Sequence, residues 1–230
     1  MRFKGVDREP DYWRQLDVFS PLTFTRPVTV IGAGATGSYM VWLLAKMGCR
    51  DITVYDDDDV ENYNLPNQIY GTEDVGKGKV EALADAVRAA TGVTIRGIHR
   101  KFSKGKIVQR KGGVVFLLTD TMESRKKIWN SSIKNRKDVD MMIETRMGID
   151  GGRIYAVRPS DEKQIAGYEK TLYTDAEAEE SPCTSKAIAP TAATIAGIAV
   201  STMLNFVRDK RFPNETIISL SPMLMLNKYF

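Results

Sequence analysis

The chain has 230 residues and a mass of 25.7 kDa, and 43% of its residues are hydrophobic while 27% are charged. These proportions are typical of a globular protein and exclude disordered and fibrous classes. The length suits one α/β domain with a substantial core and is short for two such domains. The formal net charge of +4 is too small to indicate a class of partner by itself.

The number of cysteines and the distribution of apolar residues predict the cellular compartment of the protein. The two cysteines, Cys49 and Cys183, form no C-x-x-C pair, which favours a reducing environment and excludes a four-cysteine zinc site. The N-terminus lacks the apolar core of a signal peptide. The longest apolar stretch, residues 187–207, is interrupted by Pro190 and by polar residues, which favours a buried helix over a membrane span. We therefore expect a soluble cytoplasmic protein with no membrane partner.

Charge is unevenly distributed along the chain. Residues 100–137 contain 12 Lys and Arg but only two acids, so this block has a net charge of +10. Since the whole chain has a net charge of +4, the remaining residues together carry −6. Such a block could attract nucleic acid or an acidic protein. The simpler interpretation, which we favour, is that these residues form solvated helix faces.

Residues 1–26 show no clear periodicity and form a predicted N-terminal arm. The arm contains an aromatic and basic cluster, YWRQL at residues 12–16. We expect it to contact a neighbouring subunit, and residues 27–230 to form a single nucleotide-binding domain.

A glycine-spaced turn follows the first predicted strand, residues 28–31. Gly32 permits a tight turn, Gly34 lets the backbone approach a phosphate, and Gly37 lets the following helix pack close to the strand. A phosphate would then lie at the helix N-terminus, where free N–H groups favour an anion. The alternative is a glycine turn that binds no ligand.

The second predicted strand, residues 52–55, ends in a run of four acids, residues 56–59. In dinucleotide folds, an acid at the tip of this strand binds a ribose hydroxyl, and Asp56 lies at a suitable distance after the glycines. Residues 60–76 are rich in Asn, Pro and Gly, which is typical of an active-site loop.

The next helical pattern covers residues 76–91 and places Lys79 in its first turn. A cation is unfavourable there unless it faces an anion. Strands are predicted at residues 93–102 and 114–118, and Asp120 follows the second of them. Ligands bind beyond the carboxyl ends of such strands, so Asp120 is a candidate site residue. Its alternative role is a helix N-cap.

The C-terminal half mixes helices with shorter strands. The predicted elements are a basic helix at 123–134, strands at 139–145 and 153–158 with a turn at 151–152, a mobile crossover loop at 160–181, a small-residue helix at 190–207 and one or two strands within 216–226. The sequence thus predicts an α/β fold: a Rossmann-like, mainly parallel sheet flanked by helices, with short antiparallel strands at the C-terminal end.

Taken in order, several motifs resemble the ubiquitin-activating-enzyme-like superfamily, whose simpler bacterial members are the ThiF, MoeB and HesA type adenylyltransferases. The matching segments are Arg14-Gln15, GAGATG at 32–37, DDDDV at 56–60 with Asn64-Leu65, GKGKVE at 76–81, LTD at 118–120 with Arg125, and the region 183–200. The resemblance covers about residues 12–207 and is much more specific than the glycine motif alone.

The resemblance implies a reaction in which ATP and Mg²⁺ are used to adenylate the C-terminal carboxylate of a ubiquitin-like or sulfur-carrier protein, with release of pyrophosphate. By position, the roles implied are phosphate binding by Gly32, Gly34, Gly37, Asn64 and Lys79, ribose and nucleotide binding by Asp56 and Asp58, magnesium binding by Asp120, and a contact from Arg14 to the triphosphate of the neighbouring subunit of a homodimer. For Arg14, a surface ion pair is the alternative.

Two departures from the family pattern affect these expectations. Asn67 stands where the family commonly has arginine, so triphosphate binding is weaker or is compensated by Lys77. The paired C-x-x-C motifs of many relatives are missing, so no zinc is expected.

Cys183 matches a cysteine that in some relatives takes the activated carrier as a thioester or acyl disulfide, although many relatives stop at the acyl-adenylate. Three alternative functions stay open. The chain could act on tRNA or a small peptide, it could bind ATP without turnover as a scaffold, or it could be an NAD-dependent oxidoreductase. The oxidoreductase alternative does not explain why Asn64, Lys79 and Asp120 occur together.

Overall fold

The computed structural model describes residues 10–105, 107, 110–174 and 188–230. A sheet of eight strands forms its centre, in the spatial order β3-β2-β1-β4-β5-β6-β7-β8. The strands are β1 (Val28–Ile31), β2 (Ile52–Asp56), β3 (Arg96–His99), β4 (Gly113–Leu117), β5 (Val139–Met147), β6 (Gly151–Val157), β7 (Glu215–Leu220) and β8 (Met223–Lys228). β1 to β5 pair in parallel, whereas β5 to β8 pair antiparallel. The predicted Rossmann-like sheet with antiparallel C-terminal strands is confirmed.

Helices cover both faces of the sheet. They are α1 (Ala35–Lys46), α2 (Lys79–Thr91), α3 (Met122–Ile128), α4 (Glu162–Glu169) and α5 (Ala189–Val207). α1, α2 and α5 pack on one face, and α3 and α4 pack on the other. β1 and β4 are buried along their whole length, which explains why their sequences are continuously apolar.

α5 is the described helix that is long and apolar enough to cross a membrane, by length and composition. Half of its most apolar window, 50%, is buried within the protein. The helix packs along α1 and contributes Ile195 and Met203 to the core. Cys49, at the end of α1, is also buried, and burial raises the pKa of its thiol to about 12. Both features agree with the predicted packing roles.

The described part of the N-terminal arm lies against the C-terminal end of α1. Gln15 Nε2 donates a hydrogen bond to the Met47 carbonyl at 2.7 Å. The side chains of Trp13 and Leu22 remain 64% and 84% exposed. The arm therefore contacts its own domain while leaving apolar side chains free, and its contact with a neighbouring subunit stays a prediction.

Three predicted elements differ from the structure. The third strand ends at His99 rather than at residue 102, because Phe102 leaves the sheet and its ring packs against Tyr55. The glycines expected to form a turn at 151–152 begin β6 instead. The expected loop at 160–181 contains α4, because Asp161 caps its N-terminus by accepting hydrogen bonds from two backbone N–H groups. Residues 175–181 of that loop lie outside the described residues.

Candidate active site

The glycine turn after β1 is held by close backbone packing. Gly32 has a φ of +104°, and a Cβ there would lie 2.7 Å from the Leu118 carbonyl oxygen. A Cβ on Gly37 would lie 2.0 Å from the Gly32 oxygen. A Cβ on Gly34, by contrast, would have no protein atom within 4 Å. Gly32 and Gly37 are therefore required by the fold, whereas the space above Gly34 is left open.

Gly34 is the N-cap of α1 and provides no side-chain hydrogen bond to the first turn. The free N–H groups of that turn therefore lack a side-chain cap, and the positive end of the helix dipole favours an anion. Because Gly34 also lines a pocket, the open space and the uncapped helix end fit a phosphate group.

The pocket has a volume of about 270 Å³ and lies beyond the carboxyl ends of the parallel strands. Five segments supply its walls: the glycine turn, the end of β2, the first turn of α2, the loop after β3, and the stretch from the end of β4 into α3. Its polar and charged lining residues are Asp56, Asp57, Asp58, Lys79, Lys101, Thr119, Asp120 and Ser124. The structure thus brings together Gly32, Gly34, Asp56, Asp58, Lys79 and Asp120, all of which the sequence singles out.

Asp56 braces the glycine turn as well as lining the pocket. Its carboxylate accepts hydrogen bonds from the backbone N–H groups of Ala33 at 2.6 Å and Asp58 at 2.9 Å. Burial raises the pKa of Asp56, although both hydrogen bonds and the charge of Lys79 oppose this shift. The Tyr70 hydroxyl donates to the Ala33 carbonyl at 2.6 Å and supports the turn from the other side. Each carboxylate oxygen retains acceptor capacity, so a ribose hydroxyl can still bind.

Lys79 is the first residue of α2 and is only 6% exposed. Its Nζ lies 2.7 Å from Asp58 Oδ2. This ion pair explains how a lysine is tolerated at a helix N-terminus, where a cation is otherwise unfavourable. The pair places one buried positive charge in the pocket.

Asp120 lies at the pocket edge with its side chain exposed. It is not the N-cap of α3, because Thr121 holds that position and accepts a hydrogen bond from the Ser124 N–H at 3.2 Å. A carboxylate that carries no capping role and faces a pocket fits the oxygen ligand that Mg²⁺ prefers. The carboxylates of residues 56–58 also lie within 4.8 Å of one another, but Asp56 and Asp58 already have the partners described above.

Four described residues with expected or possible nucleotide contacts do not line this pocket. Gly37 packs against the Gly32 backbone instead. Asn64 Oδ1 accepts a hydrogen bond from the Glu61 N–H at 2.9 Å and so caps a local 3₁₀ turn. Lys77 forms an ion pair with Asp74 at 2.9 Å. Arg14 precedes Gln15, whose side chain binds Met47 at the C-terminal end of α1. Because α1 is about 18 Å long for its 12 residues and Gly34 lies at its other end, Arg14 is far from the pocket within one chain. Cys183 falls outside the described residues.

The pocket is also lined by Lys101, Phe102 and Ser124, which belong to none of the motifs, and by Thr119, which lies within the LTD motif but has no predicted role. Thr119 Oγ1 is buried and has no hydrogen-bond partner among the described residues, a situation that a bound polar group would relieve. The rule that selected Asp56 and Asp120, proximity to the carboxyl end of a strand, would also have found Lys101. It failed there because the strand was predicted to continue to residue 102.

A second and larger pocket, of about 770 Å³, lies against the antiparallel strands. Its charged and aromatic lining residues are Arg146, Asp150, Arg153, Tyr155, Tyr173, Glu215 and Lys228. Its lining includes Arg146 and Gly148 at the carboxyl end of β5. Between these two residues, Met147 Sδ lies 3.5 Å from the hydroxyl of Thr36 in the first turn of α1. The carboxyl end of β5 therefore contacts the start of α1, and the larger pocket includes the residues on either side of that contact.

Buried charges connect the helices to β5. Glu144 is fully buried and binds Arg146, whose Nε donates to its carboxylate at 2.6 Å. Arg125 of α3 forms a second ion pair with Glu144 at 3.2 Å, and the Tyr168 hydroxyl of α4 donates to the same carboxylate. Burial, together with the charge of Glu144, raises the pKa of Tyr168 far above its usual range. This cluster fixes α3, and with it the loop that carries Asp120.

Comparison with known proteins identifies the family. The profile of the ThiF family matches residues 22–226. The chain belongs to the ThiF family. This agrees with the resemblance read from the motifs and with the arrangement of strands and pocket.

Curated relatives of this ThiF-family protein include ubiquitin-like modifier-activating enzymes. The enzyme ATG7 of Saccharomyces cerevisiae (strain ATCC 204508 / S288c) is 28% identical over 179 residues, which are 68% of this chain and 28% of ATG7. The adenylyltransferase and sulfurtransferase MOCS3-1 of Zea mays is 31% identical over 54% of this chain and 27% of its own length. The SAMP-activating enzyme E1 of Haloferax volcanii is 32% identical over 43% of this chain and 38% of its own length. The chain thus spans about a quarter to two fifths of these relatives.

Solved structures share the fold at lower identity. Escherichia coli MccB in complex with AMPCPP and MccA has a TM-score of 0.66 and 16% identity, over 89% of this chain and 64% of that chain. PaaA has a TM-score of 0.70 and 19% identity, over 89% of this chain and 73% of that chain. At such identities the likeness shows the fold alone.

Proposed function

We propose that this protein adenylates the C-terminal carboxylate of a ubiquitin-like or sulfur-carrier protein, using ATP and Mg²⁺. One observation carries the proposal. Gly34, Lys79 and Asp120, from three distant parts of the chain, line a single pocket that has an uncapped helix N-terminus at its base. That combination suits a nucleotide phosphate, a balancing cation and a metal-binding carboxylate, and it is the combination expected from the family.

The reaction is a displacement at phosphorus. A carboxylate oxygen of the acceptor forms a bond to the α-phosphorus of ATP, while the bond from that phosphorus to the pyrophosphate oxygen breaks and pyrophosphate leaves with the electron pair. The barrier is the approach of one anion to another, so preorganised N–H groups and cations lower it. In this chain, the N–H groups of the first turn of α1 and the ammonium of Lys79 have that role. Mg²⁺ held by Asp120 would neutralise phosphate charge.

The larger pocket offers a route for the acceptor. It includes the carboxyl end of β5, which contacts the first turn of α1 through Met147, and it is lined by aromatic and charged side chains such as Tyr155, Tyr173 and Arg153. An extended C-terminal segment of the acceptor could lie there and present its carboxylate to the nucleotide. We assign the binding of the acceptor tail to this pocket.

A small peptide is the second candidate acceptor. MccB, which shares the fold, has been solved together with MccA. Both acceptors require the same adenylation chemistry, so they differ only in what occupies the larger pocket. The proposed setting of the reaction is the cytoplasm.

The first test is magnesium-dependent exchange of labelled pyrophosphate into ATP, with candidate ubiquitin-like proteins that end in Gly-Gly. Exchange that appears with the free carboxylate and is absent with the same acceptor carrying a C-terminal amide would support the proposal. A set of short peptides provides the comparison for the second candidate. ATP binding without exchange for any acceptor would favour the scaffold alternative, in which the protein binds nucleotide but does not turn it over.

A homodimer with Arg14 acting across subunits is part of the proposal. Within one chain, Arg14 lies at the end of α1 opposite to the pocket, so its contact with nucleotide requires a second subunit. Mixing inactive Arg14→Ala and Asp120→Ala chains should restore exchange, because some mixed dimers contain one intact site. If the mixture stays inactive although mixed dimers form, Arg14 does not act in trans.

Cys183 is proposed to accept the activated carrier after adenylation. In that step, the thiolate attacks the acyl carbon of the adenylate and AMP leaves, which forms a thioester. Gel analysis should then show a carrier adduct that is sensitive to thiols, and Cys183→Ser should lack this adduct while retaining pyrophosphate exchange. Absence of an adduct in the wild-type protein would restrict the function to acyl-adenylate formation.

A further inference from the structure

The charge of the nucleotide pocket is unfavourable for the ligand proposed for it. Four carboxylates, those of Asp56, Asp57, Asp58 and Asp120, line the pocket, but only two lysines do. Lys79 is bound to Asp58 at 2.7 Å, so most of its charge is already balanced. A nucleotide carries further negative charge into this site. Besides the proposed Mg²⁺, which would occupy Asp120, a side-chain cation that is not already paired would therefore favour binding.

Lys101 is that cation. It lines the pocket, its side chain is exposed, and none of the described residues forms an ion pair with it. The backbone beside it is anchored on both sides. The Arg100 N–H donates to the Asp56 carbonyl at 3.0 Å, and the Phe102 ring lies 5.0 Å from that of Tyr55. The loop thus holds Lys101 at the pocket rather than leaving it free in solvent.

Lys77, which the sequence suggests as the residue that compensates for Asn67, does not supply an unpaired positive charge to the pocket. Its ammonium binds Asp74 at 2.9 Å, which raises the pKa of Lys77, and it does not line the pocket. Asn67 does not line the pocket either. Within the described residues, Lys101 is the pocket-lining cation that has no carboxylate partner.

We propose that Lys101 binds the phosphate groups of the nucleotide and supplies the positive charge that Asn67 does not provide. This inference rests on the proposed function, since it requires a nucleotide in the pocket. A lysine suits the role because its flexible stem carries a compact charge with three N–H donors. A charge-assisted hydrogen bond of this kind is expected to contribute about tenfold or more to affinity.

The test is calorimetric titration of the full chain with ATP, AMP and adenosine. We expect Lys101→Ala to weaken ATP and AMP binding by about tenfold and to leave adenosine binding unchanged. Lys101→Arg should retain most of the affinity because it keeps the charge. Lys104→Ala is the matched control, since Lys104 is exposed on the same loop but does not line the pocket; it should bind all three ligands like the wild type.

The outcomes separate this inference from the proposed function. If Lys101→Ala binds ATP and AMP as the wild type does, or loses adenosine affinity to the same extent, Lys101 is not a phosphate ligand although the nucleotide site stands. If the wild-type protein binds none of the three ligands, the proposed function fails and this inference fails with it. Thermal unfolding of each variant checks that the loop substitution leaves the fold intact.

Discussion

The parallel and antiparallel halves of the sheet form their pockets by different means. Beside β1, β2 and β4, the backbone makes the base of the pocket, through the glycine turn and the N-terminus of α1, and a few side chains complete it. Beside β6 to β8, the pocket depends on charged side chains paired across strands, such as Arg153 with Glu215. A site built from backbone is encoded in a short stretch of sequence, whereas a site built across strands depends on register over long separations.

The difference suggests a division of tasks. Under the proposed function, we expect the parallel half to bind the nucleotide and the antiparallel half to bind the acceptor. Substitutions in one half should then affect one ligand and spare the other. The following predictions test that separation.

The largest effect is expected from Asp120→Ala. Loss of the metal-binding carboxylate should lower the rate of pyrophosphate exchange by about 100-fold or more, because phosphate charge is no longer neutralised as it develops. The fold should be unaffected, since this side chain is exposed and Thr121 rather than Asp120 caps α3. Exchange kinetics and thermal unfolding measure the two effects.

Arg153→Ala is the matched variant in the other half. This substitution should raise the KM for the acceptor and leave ATP affinity unchanged, because Arg153 lines the larger pocket and does not line the nucleotide pocket. An Asp120→Ala protein with wild-type exchange would show that the carboxylate is not required. An Arg153→Ala protein with weakened ATP binding would contradict the division between the halves.

Glu144→Ala should cause the largest loss of stability. Glu144 is fully buried and is the carboxylate that Arg125 and Arg146 share, so its removal leaves two buried cations without that partner. The expected loss is about 3–5 kcal/mol in the free energy of unfolding, measured by urea denaturation. Glu81→Ala, at an exposed position of α2, should change stability by less than about 0.5 kcal/mol. If Glu144→Ala lost no more unfolding free energy than Glu81→Ala, the buried ion pairs of Glu144 would not contribute to stability.

Two glycine variants separate folding from binding within the parallel half. Gly37→Ala should destabilise the protein by about 1–3 kcal/mol, because its Cβ would lie 2.0 Å from the Gly32 oxygen. Gly34→Ala has no protein atom within 4 Å of its Cβ, so it should fold normally but weaken ATP binding by filling the space meant for phosphate. Thermal unfolding and calorimetric titration of both variants make the comparison. If Gly34→Ala folded normally and bound ATP as tightly as the wild type, the open space above Gly34 would not be a ligand site.

The smallest predicted effect is a pH dependence in the antiparallel half. Burial alone would raise the pKa of Glu215, but hydrogen bonds from Lys228 and Arg153 outweigh it and lower the pKa below its ordinary value of 4.5. A lowered pKa in the folded state means that ionised Glu215 stabilises the fold above pH 4.5, and that this contribution is lost as the pH falls through the folded-state value. Wild type should be more stable than Glu215→Gln at pH 7, with the difference shrinking in acid. A constant difference from pH 7 to pH 3 would contradict this linkage.

The sequence predicts the parallel half well because its determinants are local. Asp56, Lys79 and Asp120 each follow a short motif or a strand end, and the parallel sheet brings strand ends to one edge. Asn64 was expected beside the phosphates, but its side chain instead satisfies the backbone of its own turn, a competition that a motif match does not reveal. The sequence does not point to Lys101, because its apolar pattern extends the predicted third strand to residue 102, three residues beyond the end of β3 at His99.

The antiparallel half could not be predicted in the same detail. Arg153 and Glu215 are 62 residues apart, and their contact depends on the register between β6 and β7. The crossover segment was predicted as a loop from its acidic composition, whereas Asp161 begins a helix within it. Helix α3 continues as a π-helix at Trp129–Ile133, for which the spacing of apolar residues gives no signal. Tertiary packing, rather than local preference, decides the strand register and the π-helix, whereas α4 begins at a local N-cap that the acidic composition of the segment hides.

β8 has a consequence for how the protein behaves in concentrated solution. All six of its residues are exposed, four of them are Met or Leu, and its outer edge pairs with no other described strand. Such an edge is a template onto which another extended chain can add by backbone hydrogen bonds. Lys228 is the single charged residue of this strand, so electrostatic protection against such addition is slight. Colloidal stability of the isolated protein should therefore depend on this edge, and placing a second lysine at Met225 should extend the concentration range in which it stays dispersed.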